Sequence, residues 1–261
     1  MKTQLAEQVI YHLPMEDKLV SMNELVGEKI SLKFENEIYC INCDNKIHKS
    51  FHGFCWNCFS TSPENSECIL RPELCLAHEG KGRNIEWEKA HHLQEHFVYL
   101  ALSSSVKVGV TRSAQVPARW IDQGASSVIR LAKTPNRYLS GVIEVQMKKY
   151  FTDKTNWQKM LKGEEAEGIN LIEEKWKAED YLSGELKQYY SEDDRITEIN
   201  YPVLRYPEKV KSIDLEKTTS PKGRDGAGLK LMGIKGQYLI FEDNSVLNVR
   251  KHSGYVVCLE Y

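Results

Sequence analysis

The sequence predicts an α+β protein in three structural parts: a zinc-ribbon-like N-terminal region, a small central three-stranded sheet with helices, and a C-terminal antiparallel β domain. Three observations support this. Two Cys-x2-Cys pairs, Cys40/Cys43 and Cys55/Cys58, are separated by eleven residues. Further along, the apolar runs Phe97–Leu102 and Val106–Val110 flank Ser103-Ser104-Ser105, which reads as a hairpin. The chain ends in four short apolar runs punctuated by Gly236, Asp243-Asn244 and Ser253-Gly254, the pattern of a small sheet or barrel.

Residues 1–96 are assigned to N-terminal strands and the zinc-binding region, 97–156 to the central module, 157–200 to an acidic helical segment, and 201–261 to the β domain. In the first segment Ile30-Ser31-Leu32-Lys33-Phe34 and Ile38-Tyr39 read as a hairpin entering the first cysteine pair, and Ile85–Glu95 as a short helix. Pro117 suits the first turn of a helix, which places Arg119 near its N-terminus. Val128–Ala132 reads as a third strand, followed by a helix from Asn136 to about Phe151 that tolerates Gly141. Thr155–Tyr190 has helical character, with Trp157, Leu161, Leu171, Ile172, Trp176 and Leu186 expected in a core. Residues 191–221 read as irregular, broken by Pro202, Pro207 and Pro221.

With 28% charged and 41% hydrophobic residues, the chain has the balance of an ordinary globular protein. Met1–Val20 has no apolar run ending at a small-residue cleavage site, and no apolar stretch reaches the roughly 18 residues of a membrane span. A cytoplasmic protein with no membrane partner is expected. The net charge of -2 argues against indiscriminate nucleic-acid binding, but it is unevenly spread. Residues 97–150 carry a net +6 and residues 151–200 a net -6, which suits a polyanion site beside a solvated acidic face.

The seven cysteines fit a reducing compartment, where close pairs more often bind metal than oxidise. Cys40, Cys43, Cys55 and Cys58 can surround one Zn2+ tetrahedrally, a closed and therefore structural site. Cys68, Cys75 and His78 supply three more ligand types, so a second Zn2+ is expected. The histidines at 91, 92 and 96 offer its fourth ligand, His92 foremost and His96 next. Cys258, in an apolar run, reads as a buried spectator.

One stretch suggests a chemistry. Cleaving a phosphodiester needs an activated water, charge neutralisation and help for the leaving oxygen. Tyr99, Lys107, Arg119 and Glu144 are the residue types of a compact solution: a base, an arginine clamp, and one carboxylate for a cation whose octahedron phosphate and water complete. Arg112, Arg130 and Arg137 read as phosphate contacts.

In this order the residues resemble the GIY-YIG endonuclease superfamily over about sixty positions. Phe97-Val98-Tyr99 stands at the first signature and Lys107-Val108-Gly109 at the second; Arg119 matches the superfamily's arginine, and Glu144 with Asn156 its metal-binding glutamate and closing asparagine. The resemblance implies a metal-dependent endonuclease using Mg2+ or Mn2+, acting on DNA or RNA. Phe97 departs from the first glycine and Lys107 from the second tyrosine. Either Tyr99 or Lys107 then activates the water, or catalysis is lost and a nucleic-acid or ribonucleoprotein binding module remains. The whole chain also resembles a bacterial family carrying only a domain-of-unknown-function label, through Lys107-Val108-Gly109-Val110-Thr111-Arg112, Arg119-Trp120-Ile121-Asp122-Gln123-Gly124-Ala125 and the zinc-ligand N-terminus.

Overall fold

The computed structural model describes residues 1–217 and 228–261, so Pro221 lies outside the described residues. It is a mixed α+β protein with several sheets and short helices. Its contacts divide it into two compact units, 1–60 with 161–163 and 200–261, and 61–160 with 164–199. Among the described residues no helix is long and apolar enough to cross a membrane.

In the first unit, Lys29–Tyr39 is one eleven-residue strand rather than the expected hairpin. Its hydrogen-bonding partners come from the far end of the chain. Leu229 pairs with Ile30 on one side, and Leu259 with Leu32 on the other, both antiparallel. The N-terminal and C-terminal segments, read as separate parts, thus share one sheet whose core includes Ile30, Leu32, Leu231, Ile234, Leu239, Ile240 and Phe241. The expected strands after Leu229 are present, except that Val249–His252 turns into a 3-10 helix capped by the Asn248 side chain. Cys258 is exposed rather than buried, because Tyr255–Glu260 is the sheet's last strand and alternate residues face outward.

The second unit contains a four-stranded antiparallel sheet in the order Val106–Arg112, His96–Leu102, Ser127–Thr134, Ile196–Glu198. The serine turn sets the register of the first hairpin, pairing Leu102 with Val106 and Tyr99 with Gly109. Val98, Leu100, Val108, Ile129 and Leu131 form a buried face covered by Ile143 and Met147. Those two residues lie one turn apart on the Arg137–Met147 helix, which begins where Asn136 Oδ1 accepts the Leu139 N–H. This helix stops at Met147, short of the expected Phe151.

Thr155–Tyr190 is not one helix. It breaks into Trp157–Leu161, Leu171–Tyr181 and a 3-10 turn at Gly184–Tyr189, with Gly163 and Gly168 in left-handed conformations between the first two. Trp176, expected in the core, is 55% exposed and donates its Nε1–H to Asp194.

Gly141 is required where it stands. A Cβ there would lie 2.1 Å from the Glu73 nitrogen and 2.3 Å from the Pro72 carbonyl carbon. The helix backbone therefore rests directly on the Pro72–Leu74 turn. At an open helix position Gly→Ala stabilises by about 1 kcal/mol; here it should destabilise by about 1–3 kcal/mol, because backbone must move. Thermal unfolding of Gly141→Ala measures the sign: a lowered melting midpoint is expected, and a raised one would contradict the packing.

Candidate metal centres and a buried polar cleft

The first cysteine group forms as the spacing predicts. Cys40, Cys43, Cys55 and Cys58 bring four sulfurs within 4.8 Å of one another, with Cys43 and Cys55 4.0 Å apart. Asp44 and the His52-Gly53 pair hold left-handed backbone in the turns. A Cβ on Gly53 would meet Ile41 at 2.9 Å, so the second turn admits only glycine. Burial raises the Cys40 thiol, but the backbone N–H groups of Cys55, Asn42 and Cys43 outweigh it and bring it down to about 6. These donors are the ordinary surroundings of a metal thiolate. The cluster fits a zinc ribbon and can bind Zn2+.

The second group is Cys68, Cys75 and His92, all buried. His92 Nδ1 is 3.5 Å from Cys75 Sγ and 3.9 Å from Cys68 Sγ. The Cys75 hydrogen bond pulls the Cys68 thiol down to about 4, against burial, while Cys75 is pushed up. His78 does not join them. It stacks on Tyr138 with centroids 4.6 Å apart, and its Nε2 faces Glu79. His96 is also separate: Nδ1 contacts the Gln94 carbonyl, Nε2 is buried without a partner among the described residues, and burial lowers its pKa to about 4.

Of the four residues read as catalytic, Arg119 and Glu144 act on the buried Tyr99 phenol, and Arg119 also acts on Lys107. Tyr99 is fully buried, its ring 5.9 Å from Trp120, and the Gln123 and Arg119 side chains act on its Oη. Burial pushes its pKa to about 12, with Arg119 pulling it down and Glu144 pushing it further up. Gly109, its cross-strand partner, makes room for the ring, since a Cβ there would lie 2.7 Å from Cζ. Lys107 is 4% exposed and donates to Thr155 Oγ1 at 2.8 Å. Burial and then the Arg119 cation hold its ammonium down to about 8, while Asp153 opposes them. Asp153 and Thr155 come alongside because Thr152 follows the outer edge of Val106–Arg112, accepting the Val108 N–H.

Glu144 is buried, which raises its pKa against the pull of Lys148. Lys148 lies 3.3 Å from both Glu144 and Asp153. Glu73, which sequence reading missed, adds a second carboxylate near enough to raise Glu144. Nothing local to Pro72-Glu73-Leu74 signals this; only the Gly141 contact brings it there. Asn156 instead starts the Trp157–Leu161 helix, accepting the Lys159 N–H at 3.1 Å.

The other arginines differ in what they touch. Arg137 donates to the Cys68 and Ile69 carbonyls, both at 2.9 Å, and is itself buried enough to lower its pKa. Arg130 lies over the Phe97 ring at 4.6 Å and 3.9 Å from Asp193. Arg112 is half-buried at the end of its strand.

Two metal ions per chain are expected by elemental analysis. Cys55→Ser should lose one and Cys75→Ser the other, each lowering the melting midpoint by several degrees, because structural zinc contributes folding free energy. Full metal retention in either variant would remove that cluster from the metal centres.

Neither the curated proteins nor the solved structures contain a significant match to this chain. A family match extends over residues 27–257, spanning both metal clusters, the hairpin and the C-terminal strands. The chain belongs to the family described as "Protein of unknown function (DUF2797)".

Proposed function

We propose that this protein acts on nucleic acid and that the Tyr99 cleft performs metal-dependent phosphodiester cleavage. The observation that supports this most is that Arg119 and Glu144 both act on the buried Tyr99 phenol, while Arg119 also acts on the buried Lys107 ammonium. Clustered buried groups with shifted titrations are characteristic of functional sites. Arg119 binds the scissile phosphate and stabilises charge developing on its oxygens. Glu144 would hold Mg2+ or Mn2+, which would supply Lewis-acid polarisation there. Lys148 can stay on Asp153 as it leaves Glu144, since it already contacts both. Lys107 takes the proton from water in its neutral form, and Tyr99 orients the attacking oxygen.

Cleavage of end-labelled DNA and RNA should require Mg2+ or Mn2+. Glu144→Gln should abolish it, because an amide keeps the shape and loses the anionic oxygen a hard cation needs. Arg119→Ala should cost about 100-fold or more in rate. Because neutral Lys107 is the base, the rate should rise with pH, be half-maximal near pH 8 and level off above it.

Two features favour a second reading, a binding module without catalysis: Lys107 stands at the signature tyrosine position, and Lys148 already neutralises Glu144. In that reading Lys107 acts as a cation, so affinity for nucleic acid falls above pH 8. A wild type inert on the whole panel, with Lys107→Tyr active, would establish it. In either reading, Arg112→Glu and Arg130→Glu should each flatten the salt dependence of binding by roughly one unit for every phosphate the variant no longer neutralises. Arg137→Ala should mainly destabilise, since its donors hold the Cys68 and Ile69 carbonyls.

A further inference from the structure

The two metal clusters differ in how many donors they offer. The first has four sulfurs, a complete tetrahedron. The second has three donors; among the described residues no further His, Cys, Asp or Glu has a ligand atom within 4.8 Å of all of them. The spacing of those three is close to that of a zinc site, with one sulfur–nitrogen edge inside the expected range and the other just beyond it. Bond lengths of roughly 2.3 Å to sulfur and 2.0 Å to nitrogen imply donor–donor edges of roughly 3.3–3.8 Å. The observed sulfur–nitrogen edges are 3.5 and 3.9 Å.

Glu88 stands beside the gap. It precedes His92 by one helical turn on the Ile85–His92 helix and is 2% exposed. One carboxylate oxygen, Oε1, accepts the Arg83 N–H at 2.8 Å. The chain wraps so closely that a Cβ on Gly82 would lie 2.3 Å from the Glu88 carboxyl carbon. The other oxygen, Oε2, faces His92 Nδ1 at 3.5 Å. That nitrogen is the metal donor, so once it binds zinc it has no proton to share. Oε2 would then be a buried acceptor without a donor, which proteins rarely leave unmet. A water on the metal would supply that donor, at the distance where carboxylates commonly hold metal-bound groups. There is room for one: Cys68 and Glu88 both line a cavity of about 230 Å³, together with Ser66, Leu74, Leu76 and Lys81.

We propose that the second cluster is an open zinc site. Cys68, Cys75 and His92 hold the ion, and its fourth position carries an exchangeable water hydrogen-bonded to Glu88 and facing the cavity. The site accepts a small oxygen- or nitrogen-donor ligand in place of that water. A closed cluster of four protein ligands could not do this. This centre is distinct from the Tyr99 cleft, so it stands whether or not the cleft cleaves nucleic acid.

Cadmium-113 NMR of the full chain, exchanged with the metal at both sites, tests this. Two signals are expected: one in the all-sulfur range, and one more shielded for the two-sulfur, one-nitrogen site. Titration with azide, and separately with imidazole, should move only the second signal, saturably. Glu88→Gln should keep both signals at saturating cadmium, with affinity at the second site lowered roughly 10–100-fold, the effect of losing an outer hydrogen-bond partner. A second signal unmoved by either probe would overturn the proposal. So would its loss in a folded Glu88→Gln protein that retains the first signal, since Glu88 would then be the fourth ligand. A single cadmium per chain would overturn it as well.

Discussion

The second unit depends on one close approach, that of the Arg137–Met147 helix to the Pro72–Leu74 turn. Helical residues at i, i+4 and i+7 share a face. Arg137, Gly141 and Glu144 have that spacing, and each does a different job along one line. Arg137 holds the carbonyls of the loop that carries Cys68, Gly141 lets the backbones touch, and Glu144 enters the polar cleft. Ile143 and Met147 lie on another face and seal the sheet. A single helix thereby fixes both the metal loop and the cleft carboxylate, and glycine is the residue that allows it.

The cleft shows how burial shifts ordinary side chains toward their neutral forms. Desolvation disfavours charge, so it raises Tyr99 and Glu144 and lowers Lys107. Three groups on neighbouring elements are thus shifted toward neutrality, while Arg119 supplies a fixed cation among them. Taking the phenol out of water costs free energy. The surrounding frame bears it: Gly109 opposite, Trp120 against the ring, and a sheet whose apolar face is covered by the Ile143 and Met147 side chains.

What was legible in the sequence was local. Cysteine spacing revealed the first cluster, because four ligands in two turns need no distant partner. The serine turn revealed the hairpin, and with it the pairing of Tyr99 with Gly109. Pairing across the chain was illegible: alternation in Ile30–Phe34 and Ile38–Tyr39 suggests strand, not that the two runs are one strand or that its neighbours begin near Leu229 and Tyr255. Trp176 and Cys258 misled for a related reason, since an apolar residue type does not say which face of an element is covered. Gly141 read as a weakness in a helix and proved to be its contact point. His78 had the shorter spacing to Cys75, yet His92 reached the sulfurs because its helix, capped by Asn84, directs it inward.

The same helix touches the loop of the second cluster and carries the cleft carboxylate, so two distinct sites share one support. Cys68 and Cys75 bracket the Pro72–Leu74 turn, so a metal held between them pins both ends of the segment on which Gly141 rests. Glu73, in the middle of that segment, contributes to the field on Glu144. Releasing the metal frees both anchors and leaves Arg137 and the Gly141 contact to hold the turn unaided. Since packed backbones move in discrete steps rather than continuously, loosening the turn alters the surroundings of Glu144 without touching any residue of the sheet. The metal loop is in this sense part of the cleft's frame, and Arg137 is the residue whose charge interacts with both Cys68 and Cys75 on one side and Glu144 on the other.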